Sequence, residues 1–165
     1  MANLFLMMGI PGAGKSTFIK NRLEKLGDNV EYISRDEIRF SMLRPYENYF
    51  AHENEVRKTV FSRANRALEE GKNVIIDQTS LTPKSRKWVL ENVPKYDAAY
   101  LIWIDNDIET CIKNNENRKG TQAYVPPEQI RRMGFQLVRP SRREGFNVIY
   151  RYNAKNQTLD KLEEI

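Results

Sequence analysis

The chain has little of what stabilises secreted or membrane proteins. Cys111 is the one cysteine among 165 residues, so no internal disulfide can form and a reducing compartment is expected. No apolar run approaches the roughly 20 residues of a membrane-spanning helix. The apolar stretch near the N-terminus is short and has no basic segment before it, which argues against a signal peptide. We therefore expect a cytoplasmic protein that does not use a membrane.

Histidine is equally scarce: there is one, and no cysteine–histidine spacing suggests a zinc site. The length fits a single domain, residues 1–165, that is long enough to bury a core. No internal repeat or low-complexity segment divides it. The net charge of +5 is compatible with a nucleic-acid partner but does not establish one.

The first apolar segment, residues 4–8, leads into a glycine-rich loop with the pattern G-x-x-x-x-G-K-S. Such a loop binds a nucleoside triphosphate, because glycines let backbone N–H groups curl around phosphates. Lys15 reaches the β and γ oxygens, and the Ser16 hydroxyl can ligate Mg²⁺. The following helix, roughly 15–26, points its positive N-terminal end at the same anion. The predicted nucleotide-binding residues are Gly9, Pro11, Gly12, Ala13, Gly14, Lys15, Ser16 and Thr17.

Apolar segments alternate with helical patterns along the rest of the chain. Further strands are predicted at 30–34, 73–77, 98–105 and 147–150. The intervening periodicity predicts helices, one ended by Gly71 and another that begins at Pro127. This alternation predicts an α/β fold of the P-loop, nucleoside-kinase-like class: a parallel sheet of about five strands flanked by helices, with a helical lid.

Asp36 follows the second predicted strand, within Ser34-Arg35-Asp36-Glu37-Ile38-Arg39. The carboxyl ends of parallel strands line the ligand crevice, so Asp36 is expected near the phosphates. A carboxylate there suits a general base that takes a proton from an attacking hydroxyl; the alternative is a helix cap. Two roles are open for Arg39, holding the acceptor's phosphate or pairing with Asp36, and Arg35 is expected to face solvent.

The third predicted strand ends in Asp77, which has the form of the second NTPase signature, with an acid near Mg²⁺ or its waters. Gln78, Thr79 and Ser80 then line the strand end as hydrogen-bonding groups. Thr82 is expected to cap the next helix.

Residues 113–143 carry eight basic side chains against two acidic ones. The run 117–121 is predicted to be the mobile tip of a lid that spans roughly 113–126. A lid arginine stabilises charge on a phosphoryl group in transfer, and Arg118 is the candidate. The alternative is a solvated basic face, particularly for Arg142 and Arg143.

These motifs resemble, in the same order and over essentially the whole chain, the polynucleotide 5′-kinase family, in particular phage-type kinase domains. The segments that carry the resemblance are GIPGAGKST, SRDEIR, IDQTSLTPKSRKW and the lid with Arg118. The resemblance implies transfer of the γ-phosphate of ATP, with Mg²⁺, to 5′-hydroxyl ends of DNA or RNA. If the chain is a phage protein, it would act in the host cytoplasm. By position it makes Lys15, Asp36 and Arg118 the catalytic residues, Ser16 the metal ligand and Arg39 the contact to the acceptor's 3′-side phosphate.

The chain departs from that family at two positions. The acid that contacts the acceptor falls on Gln78, beside Thr79, with Asp77 one residue earlier. Either the acid is displaced by one residue or Gln78 makes the contact without a charge. The second departure is Asn114, where the family tends to carry an arginine. Asp105-Asn106-Asp107 lacks the following Gly-Thr of a phosphatase motif, so a kinase domain alone is expected.

Three functions compete at this point. The first is a polynucleotide 5′-hydroxyl kinase, and the second is a P-loop kinase of a small-molecule hydroxyl. The third is a nucleotide-dependent switch, against which Asp36 and the lid arginine argue. The aromatic residues Tyr46, Tyr49 and Phe50 either stack on a nucleobase or form a small satellite core, and Trp88 is expected in the main core.

Overall fold

The computed structural model describes residues 2–162 of the chain, and the side chains in that range other than those of Glu24 and Leu26. Six strands form one sheet: β1 Asn3–Met8, β2 Val30–Ser34, β3 Asn73–Asp77, β4 Ala98–Asp105, β5 Val148–Asn153 and β6 Thr158–Lys161. Six α-helices and one 3-10 turn connect them: α1 Lys15–Leu26, α2 Arg35–Met42, α3 Glu53–Glu69, α4 Pro83–Asn92, α5 Ile108–Glu116, α6 Pro127–Gln136 and Arg142–Glu144.

The strands lie in the order β2-β3-β1-β4-β5-β6. The first five are parallel, which confirms the predicted α/β P-loop fold. The predicted parallel sheet of about five strands is confirmed, and a sixth strand, β6, is added to it by antiparallel pairing with β5. All four residues of β6 are exposed, so no apolar pattern marks it; its backbone hydrogen bonds to β5 define it instead.

The two faces of the sheet bury separate clusters because side chains alternate along each strand. Leu4, Leu6 and Met8 of β1 face one side, together with residues of α3 and α4. Met7 faces the other side, with residues of α1, α5 and α6. Covering on both faces explains why the central strands are almost continuously apolar.

The predicted helix boundaries agree closely with the structure. Thr82 caps α4 in a capping box with Ser85, as expected, and α6 begins at Pro127. The lid is less helical than predicted, since α5 ends at Glu116 and residues 117–126 are turns and irregular backbone. Within residues 2–162, no helix has the length and apolarity needed to cross a bilayer.

Candidate active site

The glycine-rich loop connects β1 to α1 at the carboxyl edge of the sheet. Gly12 and Gly14 have φ angles of +83° and +108°, in the left-handed region that favours glycine. The Lys15 ammonium donates to the carbonyls of Gly9, at 2.8 Å, and Ile10, at 3.2 Å. Ser16 and Thr17 lie exposed in the first turn of α1. The loop thus closes around a half-buried lysine at the positive end of a helix.

Two asparagines fix the loop against β4 and α5. Asn106 donates to the carbonyl of Ala13 at 3.3 Å, and Asn114 donates to that of Gly12 at 3.0 Å. A Cβ on Gly12 would lie 2.2 Å from the carbonyl oxygen of Cys111. Asn114 stands where the resembled family tends to have an arginine, and here it has a structural role. Its hydrogen bond to Gly12 connects the phosphate loop to α5.

Charges from three separate segments surround Lys15. Burial lowers the pKa of Lys15, while the charges of Asp77 and Asp36 raise it and that of Arg118 lowers it. The structure thereby brings the other three sequence-predicted residues within electrostatic reach of Lys15. An ammonium group in a desolvated position gains from further negative charge, such as that of a triphosphate.

Asp77 and Gln78 point to opposite faces of the sheet, as neighbours on a strand must. The Asp77 carboxylate accepts a hydrogen bond of 2.6 Å from the Tyr32 hydroxyl. Burial, and then Asp77, raise the pKa of Tyr32, so its hydroxyl stays protonated and donates. Gln78 is buried, and its side-chain oxygen lies 3.5 Å from the Arg35 guanidinium. The two residues between which sequence reasoning could not choose therefore serve different sides of the site.

Asp36 lies in the first turn of α2 and is not its cap. Ser34 caps the helix, its hydroxyl accepting from the backbone N–H of Glu37 at 3.2 Å, so the cap alternative for Asp36 is wrong. The Asp36 side chain is 56% exposed. Both hydrogen bonds that described side chains donate to it, from Arg39 and Tyr49, end on Oδ1. Oδ2 accepts no hydrogen bond from a described side chain.

Arg39 is buried and heavily paired. Its guanidinium donates to both oxygens of Glu53, at 2.9 and 2.6 Å, and to Asp36. Its Cζ also lies 4.2 Å from the centre of the Tyr49 ring. Burial opposes the charge, but the hydrogen bonds to Glu53 raise the pKa of Arg39 overall. Of the two roles open for Arg39, pairing with Asp36 is present in the structure.

The segment after β3 is bonded to the phosphate loop. The Thr79 carbonyl accepts from the backbone N–H of Gly9 at 3.0 Å. Ser80 adopts a positive φ of 49° and is buried. Arg35, expected to face solvent, instead lies half-buried between Gln78 and Glu53, and that expectation is wrong.

The lid segment is held at its base by Asn115. This buried side chain donates to the carbonyl of Val125 and accepts from the N–H of the same residue at 3.2 Å. Arg118 lies half-buried in the turn between these anchors. The clamp closes the 117–124 loop, from which the charge of Arg118 acts on Lys15.

A divalent cation fits the residues present. Within residues 2–162, no group of three His, Cys, Asp or Glu side chains could hold a metal without help. Mg²⁺ is usually bound by one or two carboxylates and substrate phosphates, with water completing the octahedron. One hydroxyl from Ser16 and one carboxylate from Asp77 match that pattern.

Sequence reasoning missed the residues that position the predicted ones: Tyr32, Glu53, Asn106 and Asn115. Each acts through a contact with a segment that is not adjacent in sequence, and no local pattern reveals that contact. Glu53 offered one signal, since it is an acid in the first turn of a helix directly after the aromatic segment that contains Tyr49.

The family model described as "AAA domain" matches residues 4–140. A chain of the Pnkp1/Rnl/Hen1 RNA repair complex is similar at 25% identity, with a TM-score of 0.69 over 82% of this chain and 44% of that chain. The chain thus spans less than half the length of that structure. A gluconokinase from Sinorhizobium meliloti 1021 is 16% identical, with a TM-score of 0.60 over 94% of this chain and 86% of that one. Kti12 of Chaetomium thermophilum with ADP-AlF3 is 15% identical, with a TM-score of 0.66 over 90% and 87%. The last two show a shared fold.

Proposed function

The chain belongs to the AAA domain family and is a P-loop kinase, and from this premise we propose that it phosphorylates the 5′-hydroxyl ends of DNA or RNA with ATP. The observation that carries the proposal is the exposed Asp36 carboxylate: Arg39 and Tyr49 hold one oxygen, and no side chain among the described residues bonds the other. A nucleotide-dependent switch has no need of a carboxylate that is held ready for an attacking hydroxyl.

The proposed reaction uses the free oxygen of Asp36 as the general base. The 5′-oxygen of the acceptor forms a bond to the γ-phosphorus, and its proton passes to Asp36 Oδ2. The bond between the γ-phosphorus and the β–γ bridging oxygen breaks, and ADP leaves with that electron pair. Hydrogen bonds to Oδ1 keep the carboxylate oriented throughout the transfer.

Positive charge for the transferring group comes from Lys15 and Arg118. Lys15 exchanges its carbonyl partners, Gly9 and Ile10, for phosphate oxygens when nucleotide binds. Arg118 approaches from the lid, where its charge already acts on Lys15. Such fixed cations stabilise charge that develops in the transition state. Ser16 and Asp77 would hold Mg²⁺, which supplies neutralisation of phosphate charge when bound.

We place the acceptor on the side of Asp36 that is opposite to the nucleotide. We assign this role to Arg39, which lies on α2 with Asp36, and to Gln78 and Thr79, which follow the end of β3. The buried amide of Gln78 provides a contact without a charge, while Asp77 serves the nucleotide side. The similarity to a chain of an RNA repair complex supports a polynucleotide as the acceptor.

Acceptor-dependent ADP formation tests the proposal. The protein with ATP and Mg²⁺ is offered a 5′-hydroxyl oligonucleotide, its 5′-phosphorylated copy, or gluconate as a representative sugar acid. We expect ADP to form with the 5′-hydroxyl oligonucleotide and to remain at background with the other two. ADP formation with gluconate alone would replace the proposal by a small-molecule kinase, in line with the fold shared with the gluconokinase.

A further inference from the structure

A cleft between α3 and α4 adjoins the proposed acceptor site and has no part in the reaction as described. Its polar lining includes Arg35, Arg57 and Gln78, and its apolar lining includes Val60 and Trp88. Gln78 belongs to both regions. The cleft is therefore continuous with the place where the acceptor's first nucleotide would lie.

The cleft contains hydrogen-bond donors that have no partners. The Nε atoms of Arg35 and Arg57 are both buried, and neither makes a hydrogen bond within the described part of the chain. Buried donors are almost always paired in folded proteins, so each unpaired group calls for an explanation. Both side chains line the cleft, so the two arginines keep hydrogen-bonding capacity that the described part of the chain does not use.

The arginines at the cleft are only partly neutralised by carboxylates of the described residues. Arg35 and Arg39 share the carboxylate of Glu53, and in residues 2–162 Arg57 forms no ion pair. Burial lowers the pKa of Arg35, and the charges of Arg39 and Arg57 lower it further against the opposing effect of Glu53. Guanidinium groups that repel one another gain from an anion between them, and their planar donors suit phosphate.

Trp88 gives the cleft an aromatic wall. It was expected in the core, but its side chain is 42% exposed, so that expectation is wrong. The Arg57 guanidinium stacks on it with Cζ 4.1 Å from the ring centre. An exposed indole beside an unpaired arginine is the arrangement that proteins use for single-stranded nucleic acids, whose bases stack on aromatic rings while cations hold the phosphates.

We propose that this cleft binds the phosphodiester and the base next to the 5′-terminal nucleotide of a single-stranded acceptor. Arg35 and Arg57 hold the phosphate, and Trp88 stacks on the base. The inference rests on the proposed function, since it extends the same acceptor site by one nucleotide. A single strand is specified because a base within a duplex is already stacked on its neighbours and cannot lie against a side chain.

The test compares acceptors of two lengths in the full-length protein. The KM is measured for a 3′-phosphorylated nucleoside and for a single-stranded 12-nucleotide acceptor, both with 5′-hydroxyl groups. We expect the wild type to prefer the longer acceptor, and Arg57→Ala and Trp88→Ala each to reduce that preference about 5- to 100-fold. Trp88→Phe retains a stacking ring and should restore most of it. Arg57→Ala should also lower the salt slope of log KM for the 12-mer by about 0.7.

Arg66→Ala is the matched control, because it removes a positive charge from the same helix at an exposed position paired with Glu70. A loss of preference in this variant equal to that of Arg57→Ala would overturn the proposal by showing a general charge effect. An unchanged preference in Arg57→Ala and Trp88→Ala would also overturn it. Absence of transfer by the wild type to either acceptor contradicts the proposed function itself, so the two failures are distinguishable.

Intrinsic fluorescence gives a readout that does not depend on transfer. The chain has two tryptophans, of which Trp103 is buried and Trp88 is exposed. Titration with the 12-mer in the absence of ATP should quench the emission of the wild type, and Trp88→Phe should lose that response. Equal quenching in both proteins would contradict stacking on Trp88.

Discussion

Gly12→Ala is the substitution whose effect the geometry defines most sharply. The new Cβ would lie 2.2 Å from the Cys111 carbonyl oxygen, where ordinary contact begins near 3.4 Å, so the loop and α5 must separate by about 1 Å. Overpacking of this kind costs about 1–3 kcal/mol, and a left-handed conformation costs a residue with a Cβ about 1–2 kcal/mol. The sum of about 2–5 kcal/mol predicts a fall in Tm of roughly 4–20 °C for a chain of this size.

The same movement should disable nucleotide binding. It separates the Gly12 carbonyl from the Asn114 amide, now 3.0 Å away, and displaces the loop that Lys15 closes. Thermal denaturation with and without ATP and Mg²⁺ measures both effects in one experiment. We expect ATP to raise the Tm of the wild type and to leave that of Gly12→Ala unchanged.

Gly120→Ala is the control, since it has a similar φ of +89° but no atom within 4 Å of the added carbon. It should lower the Tm by the conformational cost alone and keep the ATP response. The reasoning is refuted if the Tm falls by the same amount in both variants, or if ATP stabilises Gly12→Ala as it does the wild type. Either result would show that the close approach of α5 does not constrain the loop.

Three further predictions concern other parts of the site. Asp36→Asn should slow single-turnover transfer about 10²–10⁴-fold while calorimetry finds ATP binding nearly intact; a collapse of ATP affinity would make Asp36 structural. Arg118→Ala should lower the transfer rate about 10²–10³-fold with little change in acceptor KM or Tm, and a large fall in Tm would point to a structural role instead. Burial raises the pKa of Cys111 to about 11, so the thiol is protonated below that pH and should react with an aromatic disulfide at pH 8 only after denaturation. Rapid reaction of the native protein would contradict its burial.

The fold was predictable because its signals are local. β3 and β4 are largely apolar runs that end in an aspartate, β1 is an apolar run that leads into the glycine-rich loop, and that loop has a spacing that few other structures need. The edge strand β6 has neither signal, since all four residues are exposed and its partner lies across a turn. Trp88 was misjudged for a related reason: its place on α4 is clear from the sequence, but the open cleft in front of it is not.

The sequence predicts candidate site residues where a motif or a strand end places them. Lys15 follows from the spacing of the glycine-rich loop, and Asp36 and Asp77 from their positions after strands. The structure places the charges of both carboxylates within electrostatic reach of Lys15, while their roles stay predictions. Their supporting contacts depend on register and on the path of residues 43–52. Tyr32 meets Asp77 because β2 pairs with β3, and Glu53 meets Arg39 because α3 packs on α2. Neither fact can be read from spacing along the chain.

The position of the transferred phosphate tests the central claim most directly. A 5′-hydroxyl oligonucleotide is incubated with the protein, Mg²⁺ and ATP labelled in its γ-phosphate, and the product is digested to mononucleotides. The account predicts that all label appears as the 5′-phosphate of the first nucleotide. Label released only as inorganic phosphate, with none on the oligonucleotide, would contradict it.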